Sequence, residues 1–214
     1  MSFQKGKKYE KDIWKRVIAD FQEKELSYVI PRDIEIPLDL NKIVSLVGVR
    51  RSGKTHLLYS LIRRLRERID PHSMVDINFE DDRLSPLQLS DMNEFLQSYY
   101  ELYPDQKDKL VYFFFDEIQN VPNWEKFIRR LADTEKSRIV ITGSSSKLMS
   151  KEIATSLRGR TIPLEIFPLS FREFLRFWKI PDYDHTSRSE AKIKHALLPF
   201  PNILPIAVSR KPLD

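Results

Sequence analysis

The sequence predicts an α/β fold with a mostly parallel sheet sandwiched by helices. Three observations carry this reading. The apolar runs Ile43–Val47, Leu110–Phe115 and Arg138–Thr142 have the near-continuous character of strands buried on both faces. Segments of helical periodicity alternate with such runs, which is the order of a parallel sheet with crossover helices. Finally, Gly48-Val49-Arg50-Arg51-Ser52-Gly53-Lys54-Thr55 fits G-x-x-x-x-G-K-[ST], with a strand before it and a helix after it.

Taken in order, residues 8–25 read as an amphipathic helix with Ile13, Trp14, Val17, Ile18 and Phe21 on one face. Residues 28–37 alternate and carry two prolines, which predicts a short edge strand or hairpin. After the strand at Ile43–Val47, a helix runs from Lys54 to about Ile69. Met74–Phe79 is a strand and Asp91–Tyr103 a helix. Leu110–Phe115 and Arg138–Thr142 are strands flanking a helix at Trp124–Lys136, and Thr161–Ile166 is a shorter strand. Ser170 and Glu173 have capping-box spacing at the start of a helix over 171–178, whose Phe171, Phe174, Phe177 and Trp178 read as a packing stripe. No internal repeat or low-complexity tract interrupts this order.

Composition narrows the function classes. The chain has 214 residues, 41% hydrophobic and 31% charged, which suits one globular domain with a small addition. Cysteine is absent, which excludes a disulfide framework, a thiolate zinc site and a cysteine nucleophile. His56, His72, His185 and His195 have no metal-ligand spacing. No apolar run approaches the ~20 residues of a membrane helix, and MSFQKGKKYEKDIWKR has no secretory h-region. A cytoplasmic location without membrane contact is the expectation. The net charge of +5 permits a polyanionic partner, although 36 basic against 31 acidic residues read as an interspersed surface. Only five glycines occur, and four of them, Gly48, Gly53, Gly143 and Gly159, fall at motif positions.

The chemistry of a phosphate cradle explains the motif spacing. Gly48 lets the chain turn at the strand end, and Gly53 lets backbone approach a phosphate without a Cβ in the way. Backbone N–H groups from residues 50 to 55 can ring the phosphate at a helix N-terminus. Lys54 would reach the β- and γ-phosphates and Thr55 would ligate Mg²⁺. Downstream, a strand ends in Asp116-Glu117, with Asp116 placed for the metal and Glu117 for polarising the attacking water. Thr142 or Ser144, at the next strand tip, is a candidate γ-phosphate or water contact. In Leu157-Arg158-Gly159-Arg160, Arg160 is the preferred guanidinium for the γ-phosphate, in cis or from a neighbour, with Arg158 second. The strand–helix unit between the two motif strands predicts that they are not sheet neighbours. No N-K-x-D guanine signature is present, since Asn41-Lys42 continues Ile-Val.

GVRRSGKT, NFEDDRL, FFFDEIQNVPNWEKFIRRL, IVITGSSSKLMS, SLRGR and IPLEIFPLSFREFL, in this order, resemble a large prokaryotic family of AAA-type P-loop ATPases close to the archaeal ATPase group. The resemblance covers about residues 10–196. It implies a P-loop NTPase core with sheet order 5-1-4-3-2, followed by the start of a C-terminal helical lid. It also implies Lys54 and Thr55 as phosphate and Mg²⁺ residues, Asp116 as the metal acid, Glu117 as the catalytic acid and Thr142 to Ser145 as a sensor region. The expected organisation is an N-terminal helix over 1–27, the ATPase core over 28–169, the lid start over 170–196 and an irregular tail over 197–214. That tail departs from the family. A shifted reading frame through Ala207–Pro212 yields Gly-Phe-Pro-Glu-Ala, similar to a stretch expected there, so 197–214 reads as frameshifted. The expected activity is ATP hydrolysis with Mg²⁺, driving a conformational change in DNA- or protein-directed work, with self-association where an arginine acts in trans. The alternatives are a DNA loader with slow ATP switching, using Arg63, Arg64, Arg66, Arg68 and the N-terminal lysines, and a truncated remnant that binds ATP without turnover.

Overall fold

Five strands, β1 (Ile43–Gly48), β2 (Met74–Asn78), β3 (Val111–Asp116), β4 (Ser137–Ser144) and β5 (Thr161–Glu165), pair in the order β2-β3-β4-β1-β5. Every pairing is parallel. This is the strand order that the resemblance implies, read from the other edge. Parallel neighbours need long crossovers. Helices α2 (Lys54–Arg66), α3 (Asp91–Leu102) and α4 (Trp124–Thr134) supply them, and α1 (Phe3–Glu23) precedes the sheet. The computed structural model describes residues 3–26, 29–144, 148, 157 and 159–178, with side chains from residue 11 onward. The lid start beyond Trp178, the tail at 197–214, Ser145 and Arg158 lie outside the described residues.

The apolar runs are strands because both of their faces are covered. All six residues of β1 are buried. One layer joins Trp14, Val17 and Ile18 of α1 to Phe95 and Tyr99 of α3, Phe127 of α4, and Phe113 and Phe115 of β3. Phe95 stands edge-on to both Phe113 and Phe115, and Phe127 edge-on to Phe115. Such ring pairs add about 0.5–1.5 kcal/mol each beyond area burial. The other layer sets Leu57, Leu58, Leu61 and Ile62 of α2 against Val44, Leu46, Phe114 and Val140. Helix α1 ends where Arg66 of α2 donates to the carbonyls of Phe21 and Lys24, with its guanidinium over the Phe21 ring.

Residues 29–37 form no strand, contrary to the alternating pattern. Pro31 and Pro37 lack ladder donors, and Ile34 and Ile36 instead pack in the α2 layer. The alternation there records a coil lying on a helix. The chain divides into two compact units, residues 1–168 and 169–214. In the second, α5 (Phe171–Phe177) begins with a capping box: Glu173 N donates to Ser170 Oγ at 3.2 Å, and Ser170 N to Glu173 Oε2 at 2.8 Å. Its buried residues are Glu173 and Leu175, whereas Phe171, Phe177 and Trp178 of the expected packing stripe are exposed.

One carboxylate breaks the apolar pattern. Asp76 of β2 is buried in the α2 layer, and its Oδ1 has no hydrogen-bond partner. Burial first, and the Asp116 charge second, push its carboxyl up to about 8, against the opposing pull of Lys24 and Arg66. The folded state therefore holds a proton that the unfolded state has released. Below the ordinary carboxylate range this group costs nothing, and stability is lost as pH rises from about 4 toward 8. Urea unfolding across that window will show Asp76→Asn gaining stability relative to the wild type as pH rises. A constant difference between the two would contradict this account.

Candidate nucleotide site

The C-terminal edge of the sheet brings together residues that lie far apart in the chain. Gly48 ends β1. A Cβ there would overlap the Ile166 carbonyl and stand 2.7 Å from Ser52 Oγ. The glycine is therefore required by a backbone crossing rather than by the sharp turn that the motif suggests. Gly53 has φ 92, a left-handed conformation that suits glycine, and Arg51 adopts φ 67. Gly53 is the N-cap of α2, and as a glycine it offers the first-turn N–H groups of that helix no side-chain cap. Val49, Arg50 and Arg51 are exposed, while Ser52 and Lys54 are buried.

Lys54 is 5% exposed and folds back over the loop. Its Nζ donates to the carbonyls of Gly48 at 3.2 Å and Val49 at 3.3 Å, and lies 3.7 Å from Glu117 Oε1. Thr55 Oγ1 donates to Asp116 Oδ2 at 2.9 Å, and Thr142 Oγ1 donates to Asp116 Oδ1. Glu117 N in turn donates to Thr142 Oγ1 at 3.0 Å. These bonds tie α2, β3 and β4 together at one carboxylate. Burial pushes the Asp116 carboxyl up, the Thr142 and Thr55 hydrogen bonds pull it down, and the nearby Glu117 and Glu80 charges push it up again. The oxygens of Thr55 and Asp116 are the hard donor set that suits Mg²⁺, and a cation there would compensate a buried carboxylate.

Three expected roles need correction. Thr142 is fully buried, and its hydroxyl is occupied by Asp116 and Glu117 N, so it is not presented to a phosphate. Ser144, opposite Gly48 in the β1–β4 register, lies nearer the loop. Arg160 directly precedes β5, its carbonyl accepts from Ile43 N, and its guanidinium pairs with Asp133 at 3.2 Å. That is the N-terminal edge of the sheet, roughly 17 Å from the loop at ~3.3 Å per strand residue. Arg160 therefore does not reach this chain's own phosphate loop. Likewise Arg66, read as a nucleic-acid contact, is spent on the end of α1.

Two residues escaped the motif reading. Arg32 donates to Ser52 O at 3.0 Å and to Phe167 O at 2.8 Å, bracing the loop from the irregular segment. Gln119 donates through Nε2 to Glu117 Oε2. Neither has a motif signature, and only spacing from Asp116-Glu117 marks Gln119.

Strand order and site define the class: a P-loop nucleoside-triphosphatase core with one strand inserted between the two motif strands. Within it, the chain belongs to the AAA domain family, whose model matches residues 40–175. An uncharacterized protein of Methanocaldococcus jannaschii is 48% identical over 168 residues, covering 78% of this chain and 36% of that protein. An uncharacterized protein of Haemophilus influenzae is 40% identical over 138 residues, covering 64% and 33%. The chain thus spans about a third of the length of the curated relatives it matches. Among solved structures, C. elegans PCH-2 aligns at 13% identity and TM-score 0.42, over 88% of this chain and 52% of that one. Saccharomyces cerevisiae RIF2 aligns at 16% and 0.42, over 92% and 76%. Among the described residues no helix is long and apolar enough to cross a membrane.

Thr142→Val keeps the shape but strips a donor from Asp116 and an acceptor from Glu117 N. Leaving buried polar groups unsatisfied costs about 1–3 kcal/mol, which the urea midpoint of the variant will report. A wild-type midpoint would show that Thr142 does not carry the tie.

Proposed function

We propose that the chain binds Mg-ATP and hydrolyses it to ADP and phosphate, using the released energy for a conformational change in DNA- or protein-directed work. The observation that carries this reading is the meeting of Lys54 and Glu117 at 3.7 Å over a loop with an uncapped helix start. Backbone N–H groups of residues 50 to 55 would cradle the phosphates, that of Ser52 by leaving its 3.2 Å bond to Val49 O, with Gly48 and Val49 forming the start of the cradle. Lys54 would exchange its loop carbonyls for phosphate oxygens. Thr55 and Asp116 would hold Mg²⁺, which neutralises phosphate charge when bound. Glu117 would accept a proton from the water that attacks the γ-phosphorus. Family membership supports adenine as the base. Ser144 is the sensor candidate next to the loop, and Arg160 is left with a role on a neighbouring subunit's nucleotide, which requires a homo-oligomer.

Hydrolysis of Mg-ATP by the purified chain tests the reading. Glu117→Gln is expected to lower kcat by about 10²–10⁴ while retaining ATP. Lys54→Ala should lose ATP affinity, and omission of Mg²⁺ should abolish turnover. Unchanged ATP affinity in Lys54→Ala would contradict the assignment.

A further inference from the structure

We propose that Gln119 is a positioning residue for Glu117, holding one carboxylate oxygen so that the other faces the reacting water. The inference rests on the ATPase reading above. Glu117 sits at φ 54, ψ 44, outside the conformations its residue type prefers, so its backbone alone is a poor guide for its side chain. Its two oxygens have separate partners. Oε1 lies 3.7 Å from Lys54 Nζ, and Oε2 accepts from Gln119 Nε2. A polyphosphate at the loop competes for the Lys54 charge, because the ammonium is the buried cation beside both. Once Lys54 turns to phosphate, the Gln119 bond is the contact that still orients Glu117, and Oε1 is the oxygen set free.

The seat of Gln119 suits this task. The residue lies in a short 3₁₀ turn, Ile118–Asn120, anchored by the buried Ile118 and followed by the buried Val121. Its amide lies so close to the tip of β4 that a Cβ on Gly143 would overlap Gln119 Oε1, as well as standing 2.8 Å from Leu148 Cδ1. That Oε1 is buried and has no hydrogen-bond partner. An unsatisfied buried acceptor is unfavourable, so the amide is held there by what its other end does, the bond to Glu117. Gly143 adopts no positive φ, so its lack of a side chain serves space, not backbone conformation.

Steady-state Mg-ATP hydrolysis separates positioning from packing. Gln119→Met keeps the volume and removes the donor without adding a charge, and Gln119→Ala removes both. Each is expected to lower kcat about 10–100-fold, the range for a hydrogen bond to a charged group, with KM within about twofold. A wild-type kcat in Gln119→Met, or a loss carried by KM alone with kcat unchanged, would overturn the proposal. Those results leave the ATPase reading standing as long as Glu117→Gln is slow. If Glu117→Gln turns over like the wild type, or if the wild type binds Mg-ATP without turnover, the reading falls and the positioning role falls with it.

Discussion

The buried carboxylate of Asp116 is the constraint around which the rest of the molecule is arranged. It is 1% exposed, at the end of a strand whose other residues are all aromatic or apolar. A carboxylate withdrawn from water is costly unless donors replace its hydration. Two hydroxyls do so here, one from the first turn of α2 and one from the tip of β4. Neither belongs to β3. The requirement of one side chain therefore fixes where a helix starts and which strand stands beside β3. With β4 between β1 and β3, Thr142 reaches both acids while its register partner Leu46 stays in the core. An order that paired β1 with β3 directly would leave Asp116 Oδ1 without that donor.

The strands and helices were legible because their signals are local. Phe113, Phe114 and Phe115 are buried on both faces and read as such from the chain alone. The loop and the acid pair were legible because their chemistry demands fixed residue types at fixed spacing. Placement across the sheet was harder to read. Residue type makes Arg160 a phosphate candidate in cis or from a neighbour, yet it directly precedes a parallel strand, which removes the role in cis. In a parallel sheet every strand starts at the same edge, so a residue before β5 lies opposite the loop that follows β1. That inference was available from topology. The role of Thr142 was not, because a hydroxyl at a strand tip looks alike whether it faces a ligand or a buried acid. Gln119 and Arg32 depend on contacts that no spacing rule encodes. Residues 29–37 misled because apolar alternation arises both in a strand and in a coil laid on a helix.

The energetics of the site run against those of the core, and the balance between them bears on function. Arg51, Glu117 and Asn123 all take positive φ, two of them within the site. Glu80 and Glu117 both act on Asp116, and Asp116 on Asp76, as like charges. Lys54 is the buried cation facing this group, and its bonds to loop carbonyls are long. Strain and like-charge burial of this kind persist only where the surroundings over-determine them. Here the aromatic packing of Phe95, Phe113, Phe115 and Phe127 behind β3 does that.

Under the proposed reading the same unfavourable terms favour the ligand. A cation beside Thr55 and Asp116 would relieve the carboxylate that burial pushes up. Phosphate oxygens would give Lys54 better acceptors than the carbonyls it now uses. Binding would then draw on stress already stored in the folded chain, and it would stabilise that chain by mass action. The geometry also makes the order of events matter for Glu117. While Lys54 lies 3.7 Å from Oε1, the ammonium competes with any water for that oxygen. Only when phosphate draws the ammonium away does the carboxylate become a base with a free oxygen, steadied by Gln119 on the other. A resting chain would thus keep Oε1 of its acid facing the ammonium, and the anion that is to be cleaved would be what releases it.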